Sequence, residues 1–225
     1  MWIAETFQSV QGEGRHVGVP SLFIRTSGCN LRCWFCDTPY TSWEPEGEQR
    51  TLESLLDEVR SAECQHVVIT GGEPMLVPDL APLTQQIAEL GRTITIETAG
   101  TVDLPVTAHL MSISPKLANS VPDDPAWSER HNRGRHQPEV IRRLTTDYDY
   151  QLKFVIDAPD DIADVDEYLV EFPHITADRV YLMAQAREPE ELRVKSEWLD
   201  PLAEEKGWRV SPRLHIELFG NTRGT

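Results

Sequence analysis

Gly28-Cys29-Asn30-Leu31-Arg32-Cys33-Trp34-Phe35-Cys36-Asp37-Thr38 holds three of the chain's four cysteines in the pattern C-x3-C-x2-C. Three thiolates on one short loop can converge on a single inorganic centre. Structural zinc takes four protein ligands, and His16 or Cys64 is available as a distant fourth. A [4Fe–4S] cluster takes one ligand per iron, so three cysteines leave one iron open to something else. Three unrelated core cysteines are the remaining reading. Spacing alone favours the cluster only moderately.

Upstream, residues 5–20 carry three glycines and no helical period, which predicts a strand running into a tight loop. Within it, Gln11-Gly12-Glu13-Gly14 offers an amide, a carboxylate and accessible backbone, the groups that recognise a flat heterocycle with mixed donors and acceptors. Arg25 lies on a short apolar strand feeding the cysteines, where an arginine pairs with a carboxylate of the protein or of a ligand. After the cysteines, Asp37 and Thr38 supply hard oxygen donors, which suit Mg2+ better than iron or zinc.

Thr51 caps a predicted helix with Leu52, Leu55, Leu56 and Val59 on one face. His66–Thr70 is a buried strand entering Gly71-Gly72-Glu73-Pro74, where paired glycines let backbone approach a ligand and Glu73 can accept from an ammonium. A helix from Asp79 to about Leu90 follows. Further strands are expected at 93–97, 110–114, 151–156 and 179–183, with helices at about 137–145, 160–172 and 189–206, the last kinked or broken at Pro201. Polar candidates follow the strands, which would place them at one carboxyl-terminal rim. Six strands are too few for a closed eight-fold barrel. The expected fold is therefore α/β, a partial, open TIM-type barrel of about six mostly parallel strands with reduced helices, in one domain spanning 1–225. Residues 117–147 are expected to pass over the mouth. The tail, about 208–225, alternates at Leu214, Ile216 and Leu218 and is expected to be a strand with Arg213, His215 and Glu217 on its other face.

Composition limits the function. The net charge of −16 disfavours general nucleic-acid binding. No apolar run approaches the ~20 residues that cross a bilayer, no signal peptide is visible, and the cysteine usage suits a reducing compartment, so the cytoplasm is the expected address.

The cysteine spacing, with Phe35 before the last cysteine, resembles the radical S-adenosylmethionine (SAM) superfamily. Phe7-Gln-Ser-Val-Gln-Gly-Glu-Gly14, Gly18-Val-Pro20, Phe23-Ile-Arg25, the cysteine loop, Thr70-Gly-Gly-Glu-Pro74, Glu97-Thr98, Ser114-Pro-Lys116 and Tyr150-Gln-Leu-Lys-Phe-Val155 together closely resemble the 7-carboxy-7-deazaguanine synthase family. The resemblance implies a Mg-dependent carbon–nitrogen lyase that converts 6-carboxy-5,6,7,8-tetrahydropterin to 7-carboxy-7-deazaguanine plus ammonia, by hydrogen abstraction and ring contraction on the route to queuosine-type nucleosides. It implies that Cys29, Cys33 and Cys36 hold a [4Fe–4S] cluster. SAM would be held by Phe35, Asp37, Gly72, Glu73, Glu97, Ser114, Pro115, Lys116 and Gln185. Val10, Gln11, Gly12, Glu13, Arg25, Thr70 and His215 would hold the pterin, and Thr38 Mg2+. It further implies a homodimer served by an external one-electron donor, flavodoxin-like or ferredoxin-like. Ala99 and Ala184 depart from the family pattern, where Asn and Pro are common. The rival functions are a radical SAM activating enzyme acting on a protein glycine and, more distantly, a zinc-stabilised binding module.

Overall fold

A computed structural model describes residues 1–225. The chain forms β1 (Trp2–Val10), β2 (Pro20–Thr26), α1 (Pro39–Ser42), β3 (Glu48–Gln49), α2 (Leu52–Ser61), β4 (His66–Gly71), α3 (Leu80–Glu89), β5 (Thr93–Thr98) and β6 (Leu110–Ile113). It continues through α4 (Pro125–Gly134), α5 (Pro138–Asp147), β7 (Tyr150–Ile156), α6 (Asp161–Glu171), β8 (Val180–Ala184), α7 (Pro189–Glu205), β9 (Arg209–Val210) and α8 (Leu214–Phe219).

All nine strands join one sheet in the order β3-β1-β2-β4-β5-β6-β7-β8-β9. β2 and β4–β8 are the six expected parallel strands, and β9 adds a short parallel edge. The two ends of the sheet, β3 and β9, are different strands, so the barrel is open. The parallel strands are buried on both faces and read as continuous apolar runs: Val67, Val68 and Ile69 of β4 are sealed from solvent. The Thr51 hydroxyl accepts from Ser54 N at 3.1 Å and starts α2, whose Leu55, Leu56 and Val59 enter the core.

β1 runs antiparallel to β2, with Glu5 opposite Arg25. Its carboxyl end therefore lies beside the amino ends of the parallel strands. The loop that follows crosses the amino-terminal end of the barrel, and the Gln11–Glu13 group reaches the interior from below, opposite the rim that carries the cysteine loop. Gly14 has φ +64°, and a Cβ there would stand 2.1 Å from Gln151 Nε2, so only glycine fits.

Three expectations are corrected. The tail is the two-residue β9 followed by helix α8, not a strand. Alternating Leu214, Ile216 and Leu218 fit either period over so few residues; only Ile216 is buried. Pro201 does not break the helix but lies inside one continuous α7, flanked by buried Leu199 and Ala203, whose packing outweighs the backbone hydrogen bond that proline removes. Residues 117–147 form α4 and α5 and pack behind the cysteine loop, not over the mouth: Trp34 Nε1 donates to Asn119 O at 2.7 Å, and the Arg32 guanidinium lies 4.1 Å from the Trp127 ring centre. Asp124 caps α4 by accepting from Ala126 N, but the helix buries little beyond His131, so no apolar period announces it. No helix is long and apolar enough to cross a membrane.

Candidate active site

A cavity of about 500 Å3 opens between the carboxyl ends of the strands, the cysteine loop, the loop after β1 and the tail. Cys29, Cys33 and Cys36 all line it, and all four cysteines are free thiols. Their loop is tied down at its start and its middle: Gly28 N donates to Thr41 O at 2.8 Å, and Trp43 Nε1 donates to Cys33 O at 3.0 Å. Arg187 donates to Cys36 O at 2.8 Å, and Glu73 N to Gly28 O at 2.9 Å. A Cβ on Gly72 would lie 1.9 Å from Gly28 O, so this close approach requires glycine.

The donor set fits a cluster better than one zinc ion. Ligands 2.3 Å from a tetrahedral zinc stand about 3.8 Å apart. The one group of His, Cys, Asp or Glu ligand atoms that converges within 4.8 Å is Glu13, Asp37 and His215, and the cysteine sulfurs are not such a group. The proposed fourth zinc ligands are engaged elsewhere, Cys64 with Gln8 and His16 with Thr95. Burial pushes the Cys29 thiol up to about 11 and the Cys33 thiol up to about 12, so binding a metal centre must displace their protons.

The floor is a buried ion network. Lys153 Nζ of β7 lies 2.6 Å from Glu13 Oε2 and 3.4 Å from Glu97 Oε1. Glu97 also accepts from Thr70 Oγ1 at 2.8 Å and from Gln11 Nε2 at 3.2 Å. Arg213 pairs with Asp37 and reaches Glu13 at 3.4 Å. Burial alone would favour the protonated acid at Glu13, but Lys153, Arg213 and His215 outweigh it and hold that carboxyl far below the usual carboxylate range. Burial likewise disfavours the Lys153 ammonium, and Glu13 and Glu97 override it, raising the group above its ordinary value. Arg213 and Lys153 thus already neutralise the acids of the Glu13–Asp37–His215 group, which reads as a recognition wall rather than a cation cage.

Arg25 has found its carboxylate in Glu5, at 2.8 Å, and Tyr40 OH donates to the same oxygen at 2.6 Å. The Nε atoms of Arg25 and Arg213 are both turned to protein carboxylates, Glu5 and Glu13. Two guanidiniums lining one cavity suit an anionic ligand.

Every substrate candidate read from the sequence lines the cavity: Val10, Gln11, Gly12, Glu13, Arg25, Thr70 and His215. Phe35, Asp37, Gly72, Glu97, Ser114, Lys116 and Gln185 also line it, as does Thr38. Two SAM candidates do not. Pro115 stands back between Ser114 and Lys116. Glu73 is sealed from solvent, its oxygens accepting from Thr98 Oγ1 and Ala99 N at 2.8 Å and from Met75 N at 3.1 Å. Burial raises the Glu73 carboxyl despite these bonds, and the side chain braces the strand ends without reaching the cavity. Sequence reading missed Lys153, Arg213 as a site residue, and Tyr40. A lysine between Leu152 and Phe154 in the buried Tyr150–Ile156 strand was the available signal.

The Radical SAM superfamily model matches residues 23–114. The 7-carboxy-7-deazaguanine synthase of Rhodopirellula baltica is 45% identical over 227 residues, an alignment covering 99% of this chain and 88% of the relative. That of Halobacterium salinarum is 42% identical, covering 99% of this chain and 92% of the relative. Among solved structures, QueE from Escherichia coli superposes with a TM-score of 0.70 at 27% identity, covering 95% of this chain and 94% of that one. TYW1 with a lysine-pyruvate adduct shares the fold alone, with a TM-score of 0.54 at 16% identity, covering 80% of this chain and 73% of that one. With a cysteine loop and cavity of this form, and relatives aligned along nearly its whole length, the chain belongs to the 7-carboxy-7-deazaguanine synthase family of the radical SAM superfamily.

Proposed function

We propose that the chain is a radical SAM carbon–nitrogen lyase that converts 6-carboxy-5,6,7,8-tetrahydropterin to 7-carboxy-7-deazaguanine with loss of ammonia. The observation that carries the reading is the single cavity joining the cysteine triplet to the charge-paired floor. When bound, the [4Fe–4S] cluster and SAM supply a carbon-centred radical able to take hydrogen from the pterin's C6.

Cys29, Cys33 and Cys36 would hold the cluster. Phe35, Asp37, Gly72, Glu97, Ser114, Lys116 and Gln185 would hold SAM, with Glu73 and Pro115 supporting their loops. Glu13, kept ionised by Lys153 and Arg213, would accept from the pterin's amino and ring N–H edge, while Gln11 supplies an adaptable amide. Arg25 and Arg213 would answer the substrate carboxylate. Thr38 would offer an oxygen to a Mg2+ that orients the substrate and offsets developing charge. The enclosed polar floor suits a small heterocycle better than an extended protein strand, so the activating-enzyme alternative is not favoured. The same reading makes the chain a single domain and a cytoplasmic homodimer reduced by a flavodoxin-like or ferredoxin-like donor, with no nucleic-acid or membrane partner.

Anaerobic incubation of cluster-loaded protein with reductant, SAM, Mg2+ and the carboxypterin tests the proposal. The expected result is 7-carboxy-7-deazaguanine by mass spectrometry. SAM cleavage without that product would defeat the substrate assignment. Thr38→Ala is expected to raise the Mg2+ concentration needed for half-maximal rate while leaving SAM binding near wild type; equal losses would remove Thr38 from the Mg2+ role.

A further inference from the structure

The segment 117–134 contributes no residue to the cavity lining, yet it grips the cysteine loop from behind at its backbone donors. Arg32 N, between Cys29 and Cys33, donates to His131 Nδ1 at 3.0 Å. Trp34 N, between Cys33 and Cys36, donates to Ser120 O at 3.3 Å. His131 is sealed from solvent. A peptide N–H can only donate, so Nδ1 carries the lone pair and the neutral ring bears its proton on Nε2. That proton goes to Ser120 Oγ at 3.0 Å, and the Ser120 hydroxyl in turn donates to Leu117 O at 2.7 Å. Each donor in the chain has one acceptor, which fixes the tautomer.

The consequence concerns the sulfurs. Within the loop, one backbone N–H donates to a cysteine sulfur: Leu31 N to Cys29 Sγ, at 3.4 Å. The backbone donors of Arg32 and Trp34 are committed away from the cysteine sulfurs and Cys36 N donates to Cys33 O at 3.3 Å, while the Ser42 hydroxyl lies 3.3 Å from Cys36 Sγ. Hydrogen bonds to cluster-bound sulfur stabilise the reduced, more negative state and raise its potential. Cleaving a sulfonium by one electron needs the opposite, a strongly reducing centre.

We propose that His131, held by Ser120, is a positioning residue that withholds the Arg32 peptide N–H from the cysteine sulfurs and so keeps the cluster's reduction potential low. The proposal rests on the cluster assignment made above and assigns segment 117–134 a redox role.

The test is an EPR-monitored anaerobic redox titration of cluster-loaded protein, with iron counted in each sample. His131→Leu removes the acceptor while filling the space. It is expected to favour the reduced cluster about tenfold, a positive shift of about 59 mV for one electron. His131→Asn, whose Oδ1 can accept from the same N–H, is expected to recover most of that shift. If His131→Leu holds less iron than wild type, Ser120→Ala carries the test: without its Nε2 partner the tautomer is no longer fixed, and a smaller shift of the same sign is expected. An unchanged or more negative potential in the iron-replete variant overturns the proposal. Wild-type protein that forms no cubane spectrum would instead defeat the family-based cluster reading.

Discussion

The cavity has two walls held in place by different physics. The cysteine wall is set by hydrogen bonds to its backbone and by close backbone approach: Gly28 N bonded to Thr41 O of α1, Glu73 N to Gly28 O, Gly72 pressed on Gly28, and His131 behind. The floor is set by charge, with Asp37, Arg213, Glu13, Lys153 and Glu97 paired in sequence around the buried Lys153 and Arg213. The contrast is one of tolerance. A neutral clamp can lose one bond and keep its shape, whereas removing one member of a buried ion chain leaves its partner uncompensated. Asp37 joins the two walls: it follows Cys36 directly and is paired with Arg213.

The largest break is chemical. Cys33→Ala is expected to abolish cluster retention and turnover, read as iron content and product formed; wild-type iron with full activity would remove Cys33 from the ligand set. Next comes the floor. Lys153→Met leaves Glu13 and Glu97 with one cation fewer in a buried site and is expected to cost about 3–5 kcal/mol by urea denaturation. A loss under ~1 kcal/mol would show that the floor behaves like a solvated surface network. Gly72→Ala attacks the close-packed wall, where a methyl group must displace Gly28 backbone. Its expected cost is about 1–3 kcal/mol, with weakened cluster retention, measured by denaturation and by the rate of iron loss to a chelator.

The smallest effect comes from beneath the floor. His66 lies between Ser21 Oγ at 2.7 Å and Thr95 Oγ1 at 2.8 Å, and burial lowers it to about 4 from an ordinary value near 6.5. Its neutral form is the folded one, so unfolding takes up a proton between those values. The His66 contribution is therefore complete above pH 6.5 and falls away as the pH drops toward 4. Urea midpoints at pH 7 and pH 5 should show the decline, and His66→Gln should flatten that part of the profile.

Much of this was legible in the sequence, for identifiable reasons. The parallel strands announce themselves because burial on both faces demands apolar runs such as His66–Thr70. The cysteine spacing and Gly71-Gly72 are local, so their chemistry survives without knowledge of the fold. The tail was read as a strand and Arg213 left out of the site because their setting depends on distant partners: Leu214 N bonds Gly12 O, and Arg213 bonds Asp37, 176 residues earlier. Lys153 was read as part of a strand, but the carboxylates that make its burial tolerable come from the loop after β1 and from β5. Helix α4 stayed hidden because its one sealed residue is a histidine.

The antiparallel direction of β1 has a further result. Because the chain itself stoppers the barrel's lower end, through Gly14 N on Ser211 and Arg15 N on Gln151, each at 2.8 Å, the chamber is a cul-de-sac. With that end closed, reactant, product and cofactor enter and leave from the carboxyl-terminal side of the sheet, so whichever sits deepest is admitted first and released last.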